Sequence, residues 1–430
     1  MSHTVDLLID GVVYDDKTLE GVYIVWGSQS VQNQPEPTSC SLTLLRDSTL
    51  GTVDAYDIKI GATVELTVTP TGQSPLRRFW GIVTDVEINY ETVRVDCVAA
   101  GIYSIRQLRY STPAGFAILL EQDTYTTLAV FYVAALQQLG ALEPDDTDVL
   151  NAPDTFPLVY ADNGWPGTFP TVSIYEEFLE GQPPIVIDLQ SIARDCTEAM
   201  PLGVLWENML KQPGTDQLQV VLSSYYSFDQ SIATPDVTLA GDEIEWQWSA
   251  TRDLGLFANS VSVGYTGTLD VTPGSPTVLE YPNADTVFYN VDAVTRGAFA
   301  QVRDTRLTTE GAAAELARNI ADIGQNPGWV ADVTIPLATL PESRQYDIIN
   351  DYLFPGTLYE LPTLATGLPT KWWPIGYTET ISRNDWQLAL KLADVSILWW
   401  GQRWQDVTAS LQWGQVGATV TWQDLQGTEL

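Results

Sequence analysis

Residue types that carry catalysis are thinly spread in this chain. Its single histidine is His3, in a segment expected to fray, so histidine general-base chemistry, Ser-His-Asp triads and histidine metal ligation have almost nothing to work with. The sequence contains no Walker-type glycine loop, no Gly-x-Ser-x-Gly elbow and no dinucleotide fingerprint after a strand. Carboxylate chemistry remains. Two acids flanking a cleft suffice for glycoside hydrolysis, and 15 tryptophans could stack on sugar rings. The nearest pairs are Glu176 with Glu177 and Glu243 with Glu245. Among 55 acids such pairs arise by chance, so they read first as solvated surface. Asp145-Asp146-Thr147-Asp148 could hold calcium, yet it lacks the Asp-x-Asp-x-Asp-Gly spacing and reads as an acidic loop. Cys40, Cys97 and Cys196 are an odd number without Cys-x-x-Cys spacing, which makes them reduced core residues rather than disulfide or metal partners. The sequence thus nominates no catalytic residue, metal or cofactor.

Tryptophan is the remaining candidate, since it is enriched in interface hot spots as well as in β cores. Trp372-Trp373 and Trp399-Trp400 are adjacent pairs. Neighbours on a strand point to opposite faces, so one member of each pair is expected inward and the other outward as a contact. Trp404, Trp413 and Trp422 recur every nine residues in the units WQDVTASLQ, WGQVGATVT and WQDLQGTEL. Three such short units offer little core of their own. They are expected to lay their tryptophans on a neighbouring surface, or to form a terminal hairpin on their own domain.

Composition bounds the partners. Hydrophobic residues make up 45% of 430, enough for roughly three domains. Charged residues are only 17%, yet 55 acids face 20 bases, for a net charge of −35. Tight binding of nucleic acid depends on Lys and Arg neutralising phosphates, so this chain should repel DNA rather than hold it. No basic segment followed by a long apolar one marks a signal peptide, and the apolar run at 128–136 is too short to span a bilayer.

Elements follow from periodicity. Val64, Leu66 and Val68 alternate with polar residues, and Val86, Ile88 and Tyr90 return through Val93, Val95 and Cys97 as a hairpin on one face. Helical stripes are Leu128, Phe131, Ala135 and Leu139 before Gly140; Leu189 to Cys196 between Asp188 as cap and Pro201; and Ala313, Leu316, Ala317 and Ile320 after Thr308 or Thr309 and before Gly324. Seven prolines between 143 and 184 predict an irregular surface excursion. A further hairpin joins 204–206 to 218–222, and strands resume with Ile244, Trp246 and Trp248, then Val261, Val263 and Tyr265. The expected fold is mainly β with inserted helices (α+β). A first β-barrel domain at 1–110 and a second at 236–400, holding a helix at 308–323, flank a small α/β middle region at 111–235; the tryptophan repeats occupy 401–430.

The two β domains are internally similar. Residues 80–97 align without gaps on 373–390 at an offset of 293, matching Trp80 to Trp373, Ile82 to Ile375, Ile88 to Ile381, Val93 to Trp386, Val95 to Leu388 and Cys97 to Leu390. Upstream, GATVEL at 61–66 resembles GTLYEL at 356–361 with the offset changed by two. Two copies of one barrel give this pattern; so do two unrelated amphipathic hairpins of equal length.

In order along the chain, several stretches resemble tail hub proteins of tailed bacteriophages, and among them the minor tail proteins of long-tailed phages that infect actinobacteria. They are FWGIVTDV at 79–86, VRVDCVAAG at 93–101, NSVSVGY at 259–265, residues 308–317, VTIPL at 333–337 with LPE at 340–342, GYTETI at 376–381, WQLALKL at 386–392 and the tryptophan tail. Gly356-Thr357 stands where the family pattern has Gly-Asp, and 143–184 has no clear counterpart. The resemblance implies a structural homotrimer at the virion tail tip, made in the host cytoplasm, whose three chains present six similar barrels. Such a ring would match a six-fold tail tube to a three-fold tip, with distal tail, tail-tube, tape-measure and tip or fibre proteins as partners. It would also let DNA pass through an acidic lumen. Trp372, Trp373, Trp399, Trp400, Trp404, Trp413 and Trp422 are the interface candidates. A receptor- or glycan-binding tip protein and a cell-wall glycan hydrolase are the alternatives.

Overall fold

The computed structural model of the chain describes residues 3–14, 19–27, 36–48, 51–52, 58–99, 109–111, 118–138, 158–160, 170–176, 186–200, 203–208, 219–224, 235–252, 258, 260–266, 287–290, 300–325, 328–353, 356–361, 364–365 and 367–395. Thirteen strands share one sheet: β1 (His3–Ile9), β2 (Val12–Tyr14), β3 (Leu19–Gly27), β4 (Glu36–Leu45), β5 (Thr63–Pro70), β6 (Leu76–Ile88), β7 (Thr92–Ala99), β8 (Val237–Thr238), β9 (Ser249–Thr251), β10 (Val330–Ile335), β11 (Tyr359–Glu360), β12 (Lys371–Ile381) and β13 (Trp386–Asp394). Period-two burial builds them. Val5, Leu7 and Ile9 on β1, Val64, Leu66 and Val68 on β5, and Val93, Val95 and Cys97 on β7 point into the core, as half-buried strands require.

Instead of two separate closed barrels, the described strands follow one open path, β9-β10-β13-β12-β3-β4-β7-β6-β5-β1-β2, with β11 beside β12 and β8 beside β11. Ladders are antiparallel except β8 with β11. The two halves fuse because β12 is long enough for two partners. Its first residues pair with β11 (Tyr359↔Trp372), and 376–381 pair with β3 (Gly376↔Gly27 to Ile381↔Val22). A single hydrophobic cluster fills both halves.

The internal repeat holds at the level of register. In the β6–β7 hairpin, Asp85↔Asp96, Val86↔Val95, Glu87↔Arg94 and Ile88↔Val93 are paired; in β12–β13, Thr378↔Ala389, Glu379↔Leu388, Thr380↔Gln387 and Ile381↔Trp386 are paired, each 293 residues on. The partner strands keep the same offset, since Cys40↔Cys97 corresponds to Val333↔Leu390. A bulge interrupts each hairpin at nearby but different places, between Val83 and Asp85 in the first and between Pro374 and Gly376 in the second. One outcome departs from the alternation: Ile88 and Tyr90, expected inward with Val86, are exposed, because the β5 ladder ends at Ile82 and no described strand flanks the rest of β6 on that side, although Val93 opposite Ile88 stays buried beside β4.

A second core lies under three helices, α1 (Thr124–Gln138), α2 (Leu189–Glu198) and α3 (Glu310–Gln325). Leu128, Phe131, Leu189, Ile192, Cys196, Ala313, Leu316, Ala317 and Ile320 line it with Val261 and Val263 from Ser260–Gly264. Helix α3, expected within the second β domain, therefore packs with the middle helices instead, because its apolar stripe faces Val261 and Val263 rather than the large sheet. The Thr309 hydroxyl accepts a hydrogen bond from the Ala312 N–H (3.2 Å), capping α3. Asp123 caps α1 through the Thr126 N–H at 2.9 Å. Asp188 precedes α2 but its side chain makes no cap hydrogen bond. The segment Gly203–Asn208 pairs with Gln219–Ser224 as expected, and it joins the cores: Val204 enters the large one and Leu205 the helical one.

Two expectations fail. Within 143–184 the strand Thr171–Glu176 pairs with Ile118–Asp123 and buries Val172 in the helical core, so that stretch is not a surface excursion; enough non-proline residues separate Pro170 from Pro183 to hold one ladder. Ile244, Trp246 and Trp248 are not in a strand, which begins only at Ser249. Residues 401–430 with Trp404, Trp413 and Trp422, as well as Trp399 and Trp400, lie outside the described residues. Among the described residues no helix is long and apolar enough to cross a membrane.

The β3–β12 junction rests on two glycines. Gly27 has φ +103, and a Cβ there would collide with the Gly376 Cα and the Ile375 carbonyl oxygen. Gly72 has a similar φ of +78 with open space around it. Gly27→Ala should therefore cost at least ~2 kcal/mol more than Gly72→Ala, read as the difference in urea unfolding free energies. Equal costs would refute the close approach.

Candidate functional site

The strand β6 opens with Leu-Arg-Arg-Phe-Trp, and alternation should send one of its two arginines to solvent. Both are buried. Arg77 places its guanidinium 5.9 Å from the Trp80 ring centroid. Arg78 reaches across the interior to Glu379 on β12, the two side chains being 2% and 0% exposed. Its Nε donates to both carboxylate oxygens at 3.1 Å and its Nη2 to Oε2 at 2.8 Å. Trp386 Nε1 donates to Oε1 at 2.7 Å, so both oxygens are fully engaged. Burial opposes the charge on Arg78, but the adjacent Glu379 carboxylate outweighs it and holds the guanidinium above its ordinary value, with Tyr377 adding a hydrogen bond.

His3 completes the cluster. It is buried rather than frayed: its Nε2–H donates to the Ser382 carbonyl at 2.9 Å, and its ring lies 5.3 Å from that of Trp386. In sheet order β1 is six ladders from β12. The contact therefore means that the sheet curls until its first strand meets the β12–β13 turn, where side chains rather than a ladder make the closure. The only histidine does structural work that its place in the sequence disguised.

The fates of the other candidates follow from packing. Trp372 and Trp373 are both buried, because that half of β12 is covered on both faces, as its run of six consecutive buried residues records. Neither presents an outward contact on this chain. Glu243 accepts from Arg344 at 2.7 and 3.1 Å and from the Ala240 N–H at 2.8 Å. Burial would raise its pKa, but these hydrogen bonds prevail and hold the carboxyl below its usual range, the wrong direction for a general acid. Its neighbour Glu245 gives its backbone N–H to the Thr334 carbonyl at 2.8 Å. Glu177 and Asp145 to Asp148 lie outside the described residues. The three cysteines are free and buried. Burial pushes Cys97 up to about 12 and raises Cys40 and Cys196 as well.

Sequence reasoning missed the exposed apolar residues. Trp246 is 84% exposed, Tyr90 91% and Ile88 47%. Tyr90 sits at a hairpin tip and Trp246 in a bend between the Glu245–Thr334 backbone bond and β9, both at places where alternation carries no information about facing. Glu379 was equally hidden, since it occupies an inward position of an otherwise ordinary strand.

No family model matches the sequence, and no curated protein matches it. Solved structures do. The chain is similar to the 43 kDa tail protein of prophage MuSo2 from Shewanella oneidensis, with 11% identity, a TM-score of 0.55, and 92% of this chain and 98% of that one covered. It is similar also to a tail protein from Neisseria meningitidis MC58, with 11% identity, a TM-score of 0.54, and 93% and 98% covered. The fold is that of phage tail proteins, as the resemblance to tail hubs implied.

Removing one partner of the buried pair leaves the other charged without water. Arg78→Met or Glu379→Leu alone should cost about 3–5 kcal/mol, while the double variant should recover most of that loss; a double-mutant cycle by chemical denaturation measures it. Additive losses would show that the pair is not coupled. The thiols give a second check. In native protein all three should resist an aromatic disulfide reagent at pH 8 and react within minutes in denaturant, read by absorbance of the released thiolate.

Proposed function

We propose that this chain is a structural hub subunit of a phage tail, which assembles with copies of itself and with other tail proteins, and performs no catalysis. The observation that carries this reading is the duplicated sheet. One chain holds two hairpins in matching register, fused edge to edge through β3 and β12. A subunit that presents the same module twice can meet a partner ring of twice its own copy number, so three chains would offer six near-equivalent faces to a six-fold tube and three to the tip. Trp399, Trp400, Trp404, Trp413 and Trp422 are the contacts we assign to neighbouring proteins on the strength of the nine-residue repeat.

Charge fits the same role. With a net charge of −35, a ring of such chains would repel a DNA phosphate backbone and leave passing DNA unheld. The buried Arg78–Glu379 pair suits such a subunit too, since it ties the two halves of the chain together.

Native mass spectrometry of the purified chain together with imaging of assembled tails is the test. Three copies on the tail axis are expected. A monomer, or a position on a peripheral fibre, would sink the hub reading, and release of sugar from host cell walls by the purified chain would favour the hydrolase alternative.

A further inference from the structure

The internal repeat specifies more than the count of modules, because it also shows how one module joins the next. By register, β3, β4, β7, β6 and β5 of the first module correspond to β9, β10, β13, β12 and β11 of the second. Within the chain the modules meet where β3 lies antiparallel on residues 376–381 of β12. Each side of that junction has a counterpart elsewhere, and among the described residues both counterparts are open. The equivalent of β3 is β9, the end of the sheet path. The equivalent of 378–381, 293 residues earlier, is 85–88 of β6. The ladder of β6 with β5 stops at Ile82, and the last backbone contact on that side is the Gly61 N–H to the Val83 carbonyl.

Burial records the difference. On β12, Glu379 and Ile381 are buried beneath β3, whereas on β6 Glu87 and Ile88 are exposed and Val86 half-buried. Transfer of the internal register predicts what would cover them. Val25 pairs with Ser39 and Thr378; Ser249 pairs with Asp332, which lies 293 residues from Ser39, so Ser249 stands for Val25 and faces the counterpart of Thr378, Asp85. Before β9 the count shifts by two: the Glu245 N–H bonds the Thr334 carbonyl, the counterpart of Ser41, which pairs with Tyr23, so buried Ile244 rather than Trp246 stands for Val22, whose partner Ile381 corresponds to Ile88.

We infer that β9 of one chain adds, antiparallel, to residues 85–88 of β6 in a second copy of this chain, with Ser249 opposite Asp85. This deepens the hub reading and rests on it: the junction that fuses two modules inside a chain is repeated between chains, so every module boundary in the ring has the same form. Such a head-to-tail contact closes a ring rather than a two-fold dimer, and pairing removes the exposed edges.

Two single variants, Ser249→Cys and Asp85→Cys, mixed in equal amounts and oxidised, form a covalent pair only if the two edges meet between copies. The expected result is a band of doubled mass under non-reducing conditions from the mixture, and at least tenfold less from either variant alone. Ile88→Glu, at an exposed position, should leave the circular dichroism spectrum and melting unchanged while shifting native mass spectra to the monomer. An assembled oligomer that yields no cross-link overturns the strand pairing but leaves the hub reading standing. A chain that is monomeric at tens of micromolar and absent from tails overturns both.

Discussion

A carboxylate and a guanidinium removed together from water are tolerated only when each fills the other's hydrogen-bonding capacity. Glu379 and Arg78 meet that condition with three short contacts between them and a fourth from Trp386. The pair lies on strands four ladders apart in the sheet, so its geometry exists only at one degree of curl. A flatter sheet would strand two charges in apolar surroundings at a cost of several kcal/mol. The pair therefore selects among curvatures that the hydrophobic cluster alone, being non-directional, would accept. His3 acts at the rim in the same sense: its Nε2–H reaches the Ser382 carbonyl only when β1 arrives at the β12–β13 turn.

The local elements were legible because their signals are local. Alternation placed Val64, Leu66, Val68, Val93 and Val95 on the buried face, helical spacing placed Ala313, Leu316, Ala317 and Ile320, and a constant offset of 293 announced a repeat that the ladders reproduce pair by pair. The fusion of the modules was not legible. It depends on Gly27 and Gly376 letting two backbones approach, and one glycine in a strand predicts a bulge, a bend or a close approach equally well. Facing was misjudged where strands lose a neighbour or gain one. Trp372 and Trp373 alternate in direction, yet both are buried because matter lies on both sides of β12; Ile88 has the right phase for the core, yet is exposed where β6 has lost β5. Period two tells which residues share a face, and the topology decides whether that face is covered.

His3, Arg78 and Glu379 were hidden for a different reason. Long-range polar pairs leave no trace in periodicity, and a separation of 301 residues between Arg78 and Glu379 or 379 between His3 and Ser382 is invisible without the fold. The available hint was compositional: two adjacent arginines, in a chain with 20 bases, inside an apolar strand. Scarce residues placed at inward positions are the ones most worth pairing with a distant opposite charge.

The same scarcity bears on how copies of this chain can associate. At −35 per chain, copies repel at long range, so indiscriminate edge-to-edge pairing is opposed before contact. Open strand edges are a liability that natural sheets blunt with short strands and charge. Here β9 has three residues, and the uncovered part of β6 carries Asp85 and Glu87. Against that background an edge contact gains net free energy only where apolar side chains coincide, as at Ile88 and Tyr90 beside β6 or Val12 and Val13 on β2. Repulsion and short edges thus do not argue against assembly through the sheet. They would restrict it to registers that bring apolar ends together, and raising the salt concentration, which screens the repulsion, should relax the barrier to association without changing that preference.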